Sequence, residues 1–328
     1  MLCRVFMPNW REFLSERFMA DANAPGHPRL VIGRPGFNGY FSQNNGDFRT
    51  HIAINRDGHR NPEPAAAANG RVWAIGDSFT FGWGVEAGER FPDVAARRAG
   101  LTVYNLASPG ADVCGYQTLR ALMPADGTPT AVLIGLTLEN DIDNYDCAAR
   151  RDEQPAIGSF VWSLSDTKQF LMRVSALYNF SAIALKRAAV LENFLKSWGL
   201  VAREHAYRRS IEDATLPRYV ERTADELQTL HNSFPETVPF SVVLIPSRFE
   251  LISNDPHFAT LREHMKHELV SRRIEVIDPF DRLFAAGFTS VHFPHDGHWS
   301  PSGHALVAEL VAAWLGAKHQ QRPAAALN

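Results

Sequence analysis

The chain has 328 residues, 45% of them hydrophobic and 21% charged, and carries a formal net charge of −3. That balance fits a chain that buries a sizeable core and excludes disordered, collagen-like and coiled-coil proteins. A near-neutral chain with no block of five or more like charges is not built as a dedicated nucleic-acid binder, which needs a basic face for phosphates.

Residues 1–65 read as an N-terminal extension packed on the main domain. Met7–Met19 has the spacing of a short amphipathic helix, Leu30–Ile32 and His51–Ile54 are short extended runs, and Asn55-Arg56-Asp57-Gly58 is a turn signal. Pro62, Pro64 and the alanines after it read as a linker. From residue 71 the pattern changes. Apolar runs at Val72–Ile75, Val103–Leu106, Ala131–Leu136, Phe240–Ile245 and Ile274–Ile277 are each bounded by Gly, Pro, Asp or Asn. Runs of that kind fit strands buried on both faces of a parallel sheet. Helix-period segments separate several of them, at Phe91–Ala99, Gln117–Met123 and Leu261–Arg272, and Ala305–Leu315 closes the pattern. The alternation predicts a doubly wound α/β domain over residues 66–328, in which ligands bind beyond the carboxyl ends of the strands. Residues 150–235 interrupt it with helix-prone stretches at Lys168–Ala189, Leu191–Arg209 and Val220–Ser233. They form either a lid or a helical layer on the sheet.

No apolar run approaches ~18 residues, so nothing reads as a membrane span, and the first residues lack a signal-peptide core. The three cysteines, Cys3, Cys114 and Cys147, imply neither a disulfide framework nor a zinc ribbon. These features predict a cytoplasmic protein.

The candidate chemistry collects at strand ends. Ser78, in Gly76-Asp77-Ser78-Phe79-Thr80, follows the first sheet strand, where a tight turn can present a nucleophile with its own N–H free for an oxyanion. A serine needs a base, and His298 is the candidate, in Pro294-His295-Asp296-Gly297-His298. On an extended segment Asp296 would project to the same side as His298 and could hold one imidazole nitrogen. Gly110, after the second strand, and Asn140, after the third, can supply further donors. Both are also ordinary turn residues. His292, His295, His298 and His304 crowd together and could in principle bind a metal, but Pro294, Gly297 and Pro301 keep them off one helix face. Phe79, Phe81, Trp83 and Trp299 flank these positions as cleft aromatics or as core, core being the expectation for at least two.

Ser78, Gly110, Asn140 and His298, in that order, resemble the SGNH (GDSL-like) hydrolases, a family named for a Ser, a Gly, an Asn and a His in four blocks. The matching stretches are Gly76-Asp77-Ser78, Asn105-Leu106-Ala107-Ser108-Pro109-Gly110, Asn140-Asp141 with Gly135 upstream, and His298, spanning about residues 71–315. The resemblance implies a flavodoxin-like three-layer sandwich around a five-stranded parallel sheet. It implies Ser78 as nucleophile, His298 as base, and an oxyanion hole from the Ser78 backbone, Gly110 N–H and Asn140 side chain. The family's last block is usually D-x-x-H, whereas here it is D-x-H. Either Asp296 serves at shorter reach or the site is a Ser–His dyad oriented by a backbone carbonyl.

The function expected is ester hydrolysis through an acyl-enzyme on a small-molecule or carbohydrate ester, with acetyl as one acyl group and no metal or organic cofactor required. A polysaccharide O-acetyltransferase using the same site, or a non-catalytic binding module on the fold, are the alternatives.

Overall fold

The computed structural model describes residues 9–43, 46–152, 170–171, 175–178, 181 and 211–321. Its centre is a parallel sheet of five strands, β5 (Val72–Gly76), β6 (Val103–Asn105), β7 (Ala131–Thr137), β8 (Phe240–Ile245) and β9 (Glu275–Ile277), in the order β6-β5-β7-β8-β9. The first sheet strand in sequence thus lies second in space, which is the flavodoxin-like order. It puts the switch point between β5 and β7, where a crevice opens at the carboxyl ends. The five apolar runs were legible because these strands are buried on both faces, β5, β7 and β8 along their whole length.

Successive side chains alternate between two helical layers. Trp73, Ile75, Val132, Ile134 and Val242 face one layer, made by α3 (Val113–Ala121), α4 (Leu216–Asn232) and α6 (Pro256–Ser271). Val72, Leu133, Val243 and Ile245 face the other, made by α2 (Phe91–Arg98), α7 (Phe280–Ala286), α8 (Phe288–Val291) and α9 (Pro301–Gln321). The chain is therefore a three-layer α/β sandwich. Within the stretch read as an insertion, the helix expected at Val220–Ser233 is α4, and its buried Val220, Ala224, Leu227 and Leu230 make it part of the layer on the sheet rather than a lid. The other two expected helices, Lys168–Ala189 and Leu191–Arg209, lie almost wholly outside the described residues.

The helices start where side-chain caps allow. Asp112 accepts from Gly115 N at 2.9 Å, which begins α3 four residues before the expected Gln117. Asp255 caps α6 in the same way through His257 N, with Pro256 in the first turn.

The N-terminal extension carries two antiparallel hairpins, β1 (Met19–Ala22) with β2 (Leu30–Gly33), and β3 (Asn38–Ser42) with β4 (Arg49–Ala53). No continuous helix spans the described part of Met7–Met19. Two 3₁₀ turns, Trp10–Phe13 and Ser15–Arg17, are separated by Leu14 in an extended conformation, and Met19 already belongs to β1. Tertiary packing overrides the local period: buried Phe18 docks edge-on to Phe41 and stacks with Phe81. The stretch read as a linker is fastened as well. Arg60, 2% exposed, donates to the carbonyls of Phe81, Gly82 and Val85, and Asn61 exchanges two hydrogen bonds with the Asn105 backbone.

The cysteine count, which implied no stapling, hides one disulfide. Cys114 on α3 is bonded to Cys147 in the loop after β7, with Cα atoms 5.2 Å apart. A bridge across 33 positions restricts the unfolded chain by about 3–4 kcal/mol in the chain-entropy view, and it anchors the loop that carries Asn140.

Two glycines make room beneath the site. Gly76 and Gly135 are paired across β5 and β7, and a Cβ on either would meet the Thr80 Oγ1 atom, at 2.3 and 2.0 Å. Gly135→Ala is expected to cost about 1–3 kcal/mol through overpacking, read by denaturant unfolding. Adding Thr80→Ala should recover at least half of that loss if the Thr80 side chain is the obstacle.

Candidate active site

The turn after β5 builds the first wall. Asp77 caps the one-turn helix α1 (Ser78–Phe81) by accepting from Phe79 N at 2.9 Å, so Ser78 sits at the start of that turn. Gly82 closes it at φ +81° and returns N–H bonds to the Ser78 and Phe79 carbonyls. A side chain there would be strained and would meet the Arg90 side chain at 2.3 Å.

The last block folds as a short closed loop. His292 and Trp299 form an isolated antiparallel bridge, and Phe293 N donates to His298 O at 3.1 Å. Residues 294–298 are turns and bends rather than extended chain, which corrects the reason given for pairing Asp296 with His298. The Asp296 carboxylate curls forward in an Asx turn instead. Its Oδ1 accepts from His298 N at 3.0 Å and contacts the ring Nδ1 at 2.5 Å. His298 Nε2 then lies 2.8 Å from Ser78 Oγ. The D-x-H spacing thus suffices because the chain turns, and the ring nitrogen meets a carboxylate rather than a backbone carbonyl.

Burial opposes the charge on Asp296. The hydrogen bond and charge of His298, the His298 N–H and the Gln43 amide outweigh it and hold the carboxyl down to about 2. Gln43 is the participant that sequence reasoning missed. Its Nε2 donates to Asp296 Oδ2 at 2.6 Å from 253 positions away. Asp47 joins it from the same loop, accepting from His295 N at 2.8 Å and contacting His295 Nδ1 at 2.7 Å. The N-terminal extension therefore grips the loop carrying His298 at two points, and no local signal marks either residue.

Asn140 follows β7 in a turn closed by its N–H to Thr137 O at 3.2 Å, and it shares one cleft with Ser78 and His298. Asp141 anchors that turn from below, accepting from Thr137 N at 2.7 Å and Tyr116 Oη at 2.6 Å. Burial, and then the nearby Asp77 charge, pushes the Asp141 carboxyl well above its ordinary range. Asp77 is itself raised by burial, against the Thr137 side chain, the Phe79 N–H, the His298 charge and the Asn140 side chain. Gly110 occupies the loop after β6 at φ +79°. That loop is tied to β5 by Ser108 N donating to Gly76 O at 3.0 Å. Gly110 is exposed and is not among the described residues lining the cleft.

The four histidines take separate posts. His295 pairs with Asp47 and His298 with Asp296. His292 is buried beside the cleft, and burial pushes it down to about 4. His304 lies in the core against Phe91, likewise pushed down to about 3. Of the aromatics, Phe81 and Trp299 are core, at 2% and 0% exposed. Phe79 lines the cleft and packs on the His298 ring at 4.9 Å, with Trp83 at 5.8 Å. The cleft holds about 360 Å³ and is completed by Glu139, Pro246, Arg248 and Gly297. No helix among the described residues is long and apolar enough to cross a membrane.

No protein-family model and no curated protein matches the chain. Solved structures of SGNH and GDSL proteins are similar to it in fold. The chain resembles the SGNH hydrolases. A lipase/acylhydrolase from Enterococcus faecalis is 14% identical with a TM-score of 0.41, over 77% of this chain and 98% of that one. A member of the lipolytic G-D-S-L family from Veillonella parvula is 14% identical with a TM-score of 0.40, over 74% and 96%. A family two carbohydrate esterase from Clostridium thermocellum, solved with cellohexaose, is 12% identical with a TM-score of 0.44, over 83% and 68%. At such distances the likeness carries no chemistry, which has to be read from this chain's own side chains.

Proposed function

We propose that the protein is a serine ester hydrolase working through an acyl-enzyme on an ester of a carbohydrate, acetyl being the simplest acyl group. The observation that carries this reading is the unbroken chain Ser78 Oγ–His298 Nε2, 2.8 Å, and His298 Nδ1–Asp296 Oδ1, 2.5 Å, opening on a cleft at the switch point of the sheet. Ser78 Oγ attacks the ester carbonyl while His298 Nε2 takes its proton. The tetrahedral oxyanion is held by the Ser78 N–H and the Asn140 amide, the two expected donors that reach the cleft. The intermediate collapses as His298 protonates the departing alcohol, leaving acyl-Ser78. Water, deprotonated by His298, then releases the acid. Asp296 keeps the imidazole oriented and stabilises its charged form.

A serine within hydrogen-bonding reach of its base supports catalysis over a non-catalytic module. The Cys114–Cys147 disulfide favours an oxidising compartment over the cytoplasm expected from sequence. The test is labelling with a fluorophosphonate, which needs an activated serine. Stoichiometric labelling at Ser78, absent in Ser78→Ala, is the expected result. An unlabelled, folded wild-type protein would overturn the reading.

A further inference from the structure

Glu139 and Arg248 meet at the cleft. Glu139 Oε1 accepts from Arg248 N at 2.7 Å and from Ser247 Oγ at 3.2 Å, and Glu139 Oε2 lies 3.2 Å from Arg248 Nε. The carboxylate thus faces the start of α5 (Arg248–Ser253) and lies at ion-pair distance from the guanidinium, whose Nε makes no hydrogen bond among the described residues. The Phe249 ring packs beside it, 5.2 Å from the guanidinium carbon. The ion pair and the ring narrow the positions open to the guanidinium, which lowers the side-chain entropy lost on binding a ligand.

The two terminal amino groups are another matter. Neither Nη1 nor Nη2 has a hydrogen-bond partner among the described residues. Arg248 is also the one Arg or Lys among the described residues lining the cleft, and His292 adds no cation there because burial keeps its ring neutral. A preorganised guanidinium with both Nη groups open presents parallel donors, the geometry that a carboxylate accepts with two oxygens.

Its position says which half of an ester it meets. Nη1 lies so close to Gly297 that a Cβ there would approach it to 2.7 Å. Gly297 immediately precedes His298, the group that must deliver a proton to the departing alcohol. The alcohol half of a bound ester therefore lies on the His298 side, beside Arg248.

We propose that Arg248 is a specificity-determining residue that selects esters whose alcohol half bears a carboxylate, an acylated acidic sugar being the class that fits a cleft of this size. The inference rests on the esterase reading and names the substrate class of that site.

The experiment is calorimetric titration of the full chain at low salt with glucuronate and with its uncharged amide, glucuronamide. The partners are wild type, Arg248→Met and Arg248→Lys. Wild type is expected to bind glucuronate at least tenfold more tightly than glucuronamide. Arg248→Met should erase that ratio, and Arg248→Lys should keep part of it, as a point charge without the fork. A wild-type ratio near one, or no binding of glucuronate, overturns the inference even if Arg248→Met does not fold. A ratio that survives in folded Arg248→Met overturns it as well. Calorimetry requires no turnover, so a failed esterase reading would show separately, as wild type that takes no fluorophosphonate at Ser78.

Discussion

Ser78→Ala and His298→Ala are each expected to lower kcat/KM for a 4-nitrophenyl ester by about 10⁴-fold or more, and the double variant should be scarcely worse than either single. The reason is that nucleophile and base act as one unit: an alanine at either place leaves the other without a partner in the reaction. In the proposed mechanism, the 2.8 Å contact between Ser78 Oγ and His298 Nε2 is the route by which the serine loses its proton. Residual rate would come from Ser78 N–H, Asn140 and substrate positioning, which survive in His298→Ala. Independent, multiplicative losses in the double variant would mean that the two residues do not share a step. Steady-state kinetics on the three variants, with folding checked by circular dichroism, decides the point.

Asp296→Asn should lower kcat by about 10³–10⁴-fold while KM changes little, since an amide favours the wrong imidazole tautomer without emptying the cleft. The same carboxylate links stability to pH. Its folded pKa is held down to about 2, below the ordinary value, so the unfolded chain takes up this proton first as the pH falls. The stabilisation, about 2 kcal/mol for a largely buried group, is complete above about pH 4 and is lost as the pH falls through about 2. The gap in unfolding free energy between wild type and Asp296→Asn should therefore shrink as the pH falls from 5 to 3. Gln43→Glu sharpens the test. It keeps the size of the side chain but sets a second carboxyl against Asp296 Oδ2, 2.6 Å from the present donor. Like charges at that distance raise the pKa of the pair, so the shrinkage should begin at higher pH in this variant, with kcat down roughly tenfold. An unchanged pH dependence would reduce Gln43 to a packing residue.

Most residues of the proposed chemistry were legible in the sequence because each is presented by its immediate neighbours. A buried parallel strand writes itself as a short apolar run, and its carboxyl end is where Ser78 and Asn140 appear within a few positions. Local turn chemistry also sets the tie between Asp296 and His298, although the sequence pattern suggested an extended segment and the chain closes a turn between Phe293 and His298 instead. The helical period at Met7–Met19 misled for a related reason: buried Phe18 packs on Phe41 and Phe81 rather than lying on one face of a helix.

Contacts between positions far apart in the chain came from the folded molecule alone. Gln43 and Asp47 reach the His298 loop, Cys114 finds Cys147, and Glu139 turns Arg248 into the cleft. A glutamine in a polar loop, two cysteines 33 positions apart and an arginine after a strand carry no signature in their neighbours. Their partners are chosen by how the N-terminal hairpins and the strand-end loops dock around the sheet. The sheet and the order of its chemical groups were already written in the residues, because hydrophobic burial and turn formation act over a few positions. Packing of the whole chain selected the side chains that support those groups, because a hydrogen bond between distant residues exists only once both are held in place.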